Sequence, residues 1–172
     1  IGSVGKCMPY FDLKISHDGE ILIKGENVMK GYYKNSNSTE KTIIDEWLYT
    51  GDVGKIDSDG FLFITGRKKE LIIKGGENIS PREIDDTLYK HNAVLEACTF
   101  GIEDDNYGEE ISACVYLKDD LVANEEELLD LCKADLGEYK TPRQIIFVNE
   151  PLPKGPSGKI QRLKIASQYS RA

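Results

Sequence analysis

Three short stretches of this chain hold residue types that can do chemistry on an anion. Pro153-Lys154-Gly155-Pro156-Ser157-Gly158-Lys159-Ile160-Gln161-Arg162 mixes prolines, which fix φ, with glycines, which permit turns closed to other residues. Lys159 is therefore expected to project from a shaped loop, free of a regular ladder, and a point cation so presented meets phosphate or carboxylate. Upstream, Tyr49-Thr50-Gly51-Asp52 sets a carboxylate in a turn, where it can accept hydrogen bonds from two vicinal hydroxyls, a geometry that suits a ribose. The third stretch runs from Gly66-Arg67-Lys68-Lys69-Glu70 through Lys74-Gly75-Gly76 to Ser80-Pro81, and its glycine pair suits close approach of another group. Each also has a plainer reading: a solvated turn for the lysine loop, an Asx turn for Asp52, a surface ion pair for Arg67, and a bulge or turn for the glycines.

Other chemistries find little support. Cys7, Cys98, Cys114 and Cys132 are scattered without a CxxC spacing, and His17 and His91 alone could join them, so no metal site and no disulfide framework is expected. Buried thiols in a reducing cytoplasm are the expectation. Asp57-Ser58-Asp59-Gly60 is too short and wrongly spaced for a calcium loop and reads as a turn. No apolar run is long enough for a membrane span, and secretion is not expected. The net charge of −8 argues against general nucleic-acid binding. That charge is uneven: from residue 139 onward Lys140, Arg143, Lys154, Lys159, Arg162, Lys164 and Arg171 face a lone Glu150, a net of +6 that leaves −14 for the remainder. A basic end on an acidic body fits capture of a small polyphosphate, or simply a solvated terminal helix.

These residues need a scaffold, and 172 residues with 40% hydrophobic content can supply one domain or two small ones. Residues 1–66 read as short strands broken by turns. Leu13–Ile15 and Glu20–Lys24 flank His17-Asp18-Gly19, and Gly54–Asp57 and Phe61–Thr65 flank the Ser58-Asp59-Gly60 turn. Beyond Gly66 helices and strands alternate. Glu70–Lys74 is extended; Ser80, Pro81 and Glu83 predict a helix start with a capping box, with Ile84 and Leu88 facing a core. Strands are predicted at Val94–Gly101 and Ile111–Leu117, the latter with one buried face, since Ile111, Ala113, Val115 and Leu117 alternate with Ser112, Cys114 and Tyr116. Asn124 and Glu125–Glu127 open a further helix with Leu128, Leu131, Cys132 and Leu136 on its apolar side, and Gln144–Val148 is a last strand. The fold class is α+β: a small β-rich subdomain, then a compact domain of mixed sheet flanked by helices.

The three stretches, in this order and with Gly31-Tyr32-Tyr33 and Trp47 between them, make nearly the whole chain resemble the carboxyl-terminal part of the adenylate-forming enzymes, which include acyl- and aryl-CoA synthetases, peptide-synthetase adenylation domains and luciferases. The resemblance implies a distal β-subdomain at 1–66, a hinge at 67–69 and a C-terminal domain at 70–172, within a protein of about 500 residues. It implies that Asp52 binds the nucleotide ribose, that Arg67 contacts ribose and phosphate, and that Lys69 is the hinge. It further implies that Lys159 is the adenylation lysine, that Gly75 and Gly76 line a pantetheine channel, and that Arg143 lies near the CoA nucleotide. ATP with Mg2+, CoA and a carboxylic acid would be the substrates of the intact ligase, and the chain's own missing N-terminal domain its partner. The phosphate loop, acyl pocket and magnesium ligands are expected upstream, so this chain by itself is expected to be inactive and to hold no cofactor tightly. Two positions depart from the family pattern, Gly155 in the lysine loop and Cys7 after Gly5-Lys6; neither removes a contact group. The alternatives are an adenylation domain that loads a carrier protein, and a non-catalytic interaction module that keeps the fold.

Overall fold

A computed structural model describes residues 2–169 and divides into two units at the Lys69/Glu70 bond. The first unit is a six-stranded antiparallel sheet built from β1 (Gly5–Lys6), β2 (Phe11–Ile15), β3 (Glu20–Gly25), β4 (Ile43–Ile44), β5 (Trp47–Ile56) and β6 (Phe61–Arg67). The order is β1-β6-β5-β3-β2, with β4 also on β5. Both predicted hairpins form. The first closes where the Gly19 N–H donates to Ser16 O, and the second where the Gly60 N–H donates to Asp57 O, each at 3.0 Å. The fully buried apolar residues here are few, Ile21, Leu22 and Val53. One helix was not foreseen, α1 (Ser36–Thr42), whose Ser-Asn-Ser-Thr-Glu-Lys-Thr sequence has no apolar period to reveal it. Its start is fixed by Asn35, whose Oδ1 accepts from the Ser38 N–H at 3.0 Å.

In the second unit β10 (Gly108–Leu117) is central. It pairs antiparallel with β9 (Val94–Asp104) along one edge; along the other it pairs parallel with β11 (Gln144–Val148), and Gly108 pairs with Lys74 of β7 (Ile72–Lys74). β7 in turn forms a hairpin with β8 (Glu77–Ile79). The helices are α2 (Pro81–Leu88), α3 (Glu125–Leu136) and α4 (Arg162–Tyr169). Ile84 and Leu88 of α2 and Leu128 and Cys132 of α3 pack with Ile111, Ala113 and Val115 in the main core. Burial of each leucine, isoleucine or valine among them is worth about 1.5–3 kcal/mol.

Three local expectations are corrected. β10 is buried on both faces, because Leu152 and Ile165 from the C-terminal segment cover Cys98, Phe100 and Cys114 in a second core, and Ser112 is also fully buried. The alternating pattern showed one apolar face, while the other is closed by residues distant in sequence. At α2, Ser80 does occupy the N-cap and Pro81 the first turn, yet the Ser80 side chain makes no capping hydrogen bond. Glu83 instead binds Lys140, Oε2 to Nζ at 2.7 Å. The full capping box forms at α3, where Asn124 Oδ1 accepts from the Glu127 N–H and Glu127 Oε2 accepts from the Asn124 N–H, at 2.9 and 3.1 Å. Cys7 is also exposed, whereas the other three thiols are buried.

Candidate functional site

In the first unit the sheet register brings Asp52 and Arg67 together. They are direct cross-strand partners on β5 and β6, with Arg67 Nε 2.7 Å from Asp52 Oδ1. The turn expected at Tyr49–Asp52 does not form: these residues run within β5, where the register against β3 shifts between Glu20 and Leu22, a bulge. The bulge is held by Thr50 Oγ1, which donates to Ile21 O and accepts from the Asp52 N–H, at 2.8 and 3.1 Å. The Gly51 N–H donates to Glu20 Oε1 at 2.9 Å, and the other Glu20 oxygen lies 2.8 Å from Lys68 Nζ, which also sits 2.7 Å from Asp18 Oδ2. The Lys68 ammonium and the Ser16 hydroxyl hold Asp18 well below the usual carboxylate range, while hydrogen bonds to Asp18 and Glu20 push Lys68 up to about 12. Lys69 follows in an exposed 3-10 turn, Lys68–Glu70, at the unit boundary.

In the second unit Gly75 and Gly76, with φ of +55° and +85°, form the two-residue loop of the β7–β8 hairpin. Two consecutive positive φ values are what such a loop requires, so the pair makes a tight hairpin tip. The Gly75 N–H donates to Tyr107 O at 2.8 Å, and the Tyr139 hydroxyl donates to Lys74 O at 2.6 Å. Lys74 is itself buried, its Nζ 2.6 Å from Glu110 Oε1 with both side chains about a tenth exposed, and 5.5 and 5.1 Å from the Tyr107 and Tyr139 rings. Lys74, Tyr107, Glu110, Tyr139 and Arg143 line a cleft of about 490 Å³, within the range of small-molecule sites. Arg143 reaches Asp104 Oδ2 at 3.1 Å from a largely exposed position. The Asn106 and Tyr107 N–H groups hold the Asp104 carboxyl below its ordinary value. Lys159 does not line this cleft.

The lysine loop is a small hairpin of its own. Lys154 and Ile160 bridge, the Gly155 N–H donates to Lys159 O, the Gly158 N–H to Gly155 O and the Gln161 N–H to Pro153 O, all at 2.8–2.9 Å. Its entry is tied to β9, since Glu96 binds Lys154 through one carboxylate oxygen and accepts the Leu152 N–H at 2.8 Å through the other. Most of the basic end is neutralised within the unit. Lys140 pairs with Glu83, Arg143 with Asp104, Lys154 with Glu96, and Arg162 with Glu70 and Asp85. Arg171 lies outside the described residues. Lys159 is exposed, and among the described residues no carboxylate pairs with its ammonium.

Residues 83–159 match the AMP-binding enzyme C-terminal domain. The chain is 51% identical over 148 residues to a sulfoacetate–CoA ligase of Cupriavidus necator, covering 86% of this chain and 29% of that protein. It is 43% identical over 171 residues to a 2-succinylbenzoate–CoA ligase of Listeria monocytogenes, covering 99% of this chain and 36% of that one. The chain belongs to the adenylate-forming, AMP-binding enzymes. It spans about a third of the length of the curated relatives it matches. Among solved AMP-binding enzymes, the o-succinylbenzoate CoA synthetase of Bacillus subtilis in complex with its acyl-adenylate intermediate has a TM-score of 0.86 at 38% identity, covering 95% of this chain and 35% of that one.

Several polar residues were given no site role from the sequence: Glu20 and Lys68 before the unit boundary, and Glu70, Asp85, Glu96 and Arg162 after it. None belongs to a recognisable local pattern, because each meets its partner across a long separation, 92 residues for Glu70 and Arg162. The available signal was proximity, since Lys68 and Glu70 flank Lys69 and Arg162 closes the lysine loop.

Proposed function

We propose that this chain is the C-terminal portion of an ATP-dependent, AMP-forming acid:CoA ligase, which makes an acyl-adenylate and then a thioester by swinging its small domain about Lys69. The observation that carries this reading is the state of Lys159: exposed, unpaired among the described residues, and held at the end of a hydrogen-bonded loop whose companion Lys154 is paired. An ammonium so placed can be presented to the carboxylate and phosphate of an adenylation site, where charge neutralisation is worth a few kcal/mol. Asp52 and Arg67 would bind the ribose and phosphate, their ion pair fixing the carboxylate for a diol. Mg2+ would travel with the ATP as part of the substrate, and the acid pocket and phosphate loop would come from a preceding domain. In the second half-reaction the Gly75-Gly76 tip would admit the pantetheine thiol, with Arg143 beside the CoA nucleotide. CoA as the acceptor is supported by the CoA ligases to which the chain is most similar among those above.

Among the described residues no helix is long and apolar enough to cross a membrane. Four free thiols fit the reducing cytoplasm proposed for the protein. The deciding experiment is Lys159→Ala in the complete protein, with the two half-reactions measured apart. Pyrophosphate release on adenylation should fall by about 10²-fold or more, a loss of several kcal/mol of transition-state stabilisation. Thioester formation from supplied acyl-adenylate should hold within about threefold of wild type. Equal losses in both steps would overturn the assignment.

A further inference from the structure

The exit of the lysine loop is fastened by a guanidinium that the proposed reaction does not use. We infer that Arg162 is a positioning residue for Lys159: it locks the root of the lysine loop to Glu70, the first residue past the pivot, so that rotation at Lys69 reaches the Lys159 ammonium without slack. This rests on the ligase reading above. The Arg162 side chain is 14% exposed, and three elements converge on it. Nε lies 3.1 Å from Glu70 Oε2, and one terminal nitrogen lies 2.8 Å from Asp85 Oδ2 on α2. The other terminal nitrogen donates to Thr99 O on β9 and sits 3.6 Å from Cys98 Sγ. Asp85 is also held through Oδ1, which accepts from the Thr99 N–H at 2.7 Å.

The position in the chain gives this cluster its meaning. Arg162 directly follows Gln161, whose N–H closes the loop onto Pro153 O, and the loop's other root is held by Glu96. Both ends of the lysine hairpin are therefore nailed to β9, and the guanidinium carries the connection on to Glu70 in the segment leaving Lys69. For stability alone an apolar cluster of similar volume would serve as well, because desolvating a guanidinium and two carboxylates offsets much of their attraction. What a planar fork adds is fixed direction, since it bonds three partners at set angles that an ammonium cannot reproduce.

The test uses Arg162→Lys and the milder Glu70→Ala, whose carboxylate is about a quarter exposed and whose loss leaves Asp85 paired. Amide exchange in the 172-residue chain should quicken at Gly155, Gly158 and Gln161 by about tenfold in Arg162→Lys and about threefold in Glu70→Ala, while β9 and β10 amides stay within about twofold. In the complete protein kcat for adenylation should fall about tenfold or more with the ATP KM within about threefold, and Arg162→Lys should retain more activity than Arg162→Met. Thioester formation from supplied adenylate should change by less than about threefold. Unchanged loop exchange in both variants, or equal loss in both half-reactions, would overturn the inference. A wild-type protein that forms no adenylate from any acid would instead sink the ligase reading, and the exchange result would still decide the clamp.

Discussion

Gly75 and Gly76 share a hairpin tip and the same sign of φ, yet substitution should cost different amounts. At Gly76 an added Cβ meets nothing within 4 Å, so Gly76→Ala bears only the strain of a left-handed backbone, about 1–2 kcal/mol. At Gly75 the same atom lands 2.9 Å from the Tyr139 hydroxyl and 3.4 Å from the Tyr107 ring. Tyr139 must then give way, and its hydrogen bond to Lys74 O, worth about 1 kcal/mol, is lost with it. Gly75→Ala should therefore cost about 2–3 kcal/mol, roughly 1 more than Gly76→Ala. For a unit of this size that gap is about 4–8 °C in Tm. Far-UV circular dichroism is the assay, because the single tryptophan, Trp47, lies in the other unit and reports on that one. A double-mutant cycle sharpens the test: in a Tyr139→Phe background the hydroxyl is gone, and Gly75→Ala should fall to the cost of Gly76→Ala. Equal costs in the wild-type background, or an additive cycle, would refute the packing argument.

Two further outcomes follow from the charges and thiols. Burial pushes Cys98 up to about 12 and Cys114 and Cys132 up to about 11, so a native-state thiol titration should find one fast group, Cys7, with three more released on unfolding; fast labelling of a second thiol would contradict the two-core packing. Asp18→Asn should destabilise the first unit by no more than about 1 kcal/mol at neutral pH, because Asp18 and Lys68 are both partly exposed and the pair is screened. The folded-state pKa of Asp18 is depressed, so its contribution is present above the unfolded value of about 3.9 and is lost as pH falls through the folded one. Lys68 is raised, so its share is lost as pH rises through about 12. Trp47 fluorescence during urea unfolding across pH checks both signs, and a difference between variant and wild type that grows below about pH 4 would refute the assignment.

Local chemistry made the elements legible and left their long-range closure hidden. The alternation in β10, the Asn124 start of α3 and the hairpin turns are written in neighbouring residues and were readable. The second covering of β10 was not, because Leu152 and Ile165 arrive from a segment whose own pattern is weak. Glu83 shows the same limit on a smaller scale. Its spacing from Ser80 spelled a capping box, but the Ser80 side chain does not cap and the carboxylate pairs with a lysine 57 residues away. In the candidate site the cationic loop and Asp52 announced themselves by residue type, whereas the strand that carries Asp52 read as a turn because Thr50-Gly51 sits at a bulge, and the pairing of Asp52 with Arg67 depends on strand register.

The same distinction supports the proposal that a single residue, Lys69, serves as the pivot. A rotation needs only a few φ/ψ angles to change, provided that neighbouring residues stay fixed. Lys68 is fixed in its own unit by Asp18 and Glu20, and Glu20 also holds the β5 bulge that precedes Asp52. Glu70 is fixed in the other by Arg162, which ends the lysine loop. Between them Lys69 is exposed, with no carboxylate partner among the described residues. On the proposed reading, motion is confined to Lys69 because both flanks are bonded to the parts that must arrive intact, the β5 segment around Asp52 on one side and the lysine on the other. Charged residues whose removal would look neutral in a stability ledger then matter through where they put Lys159.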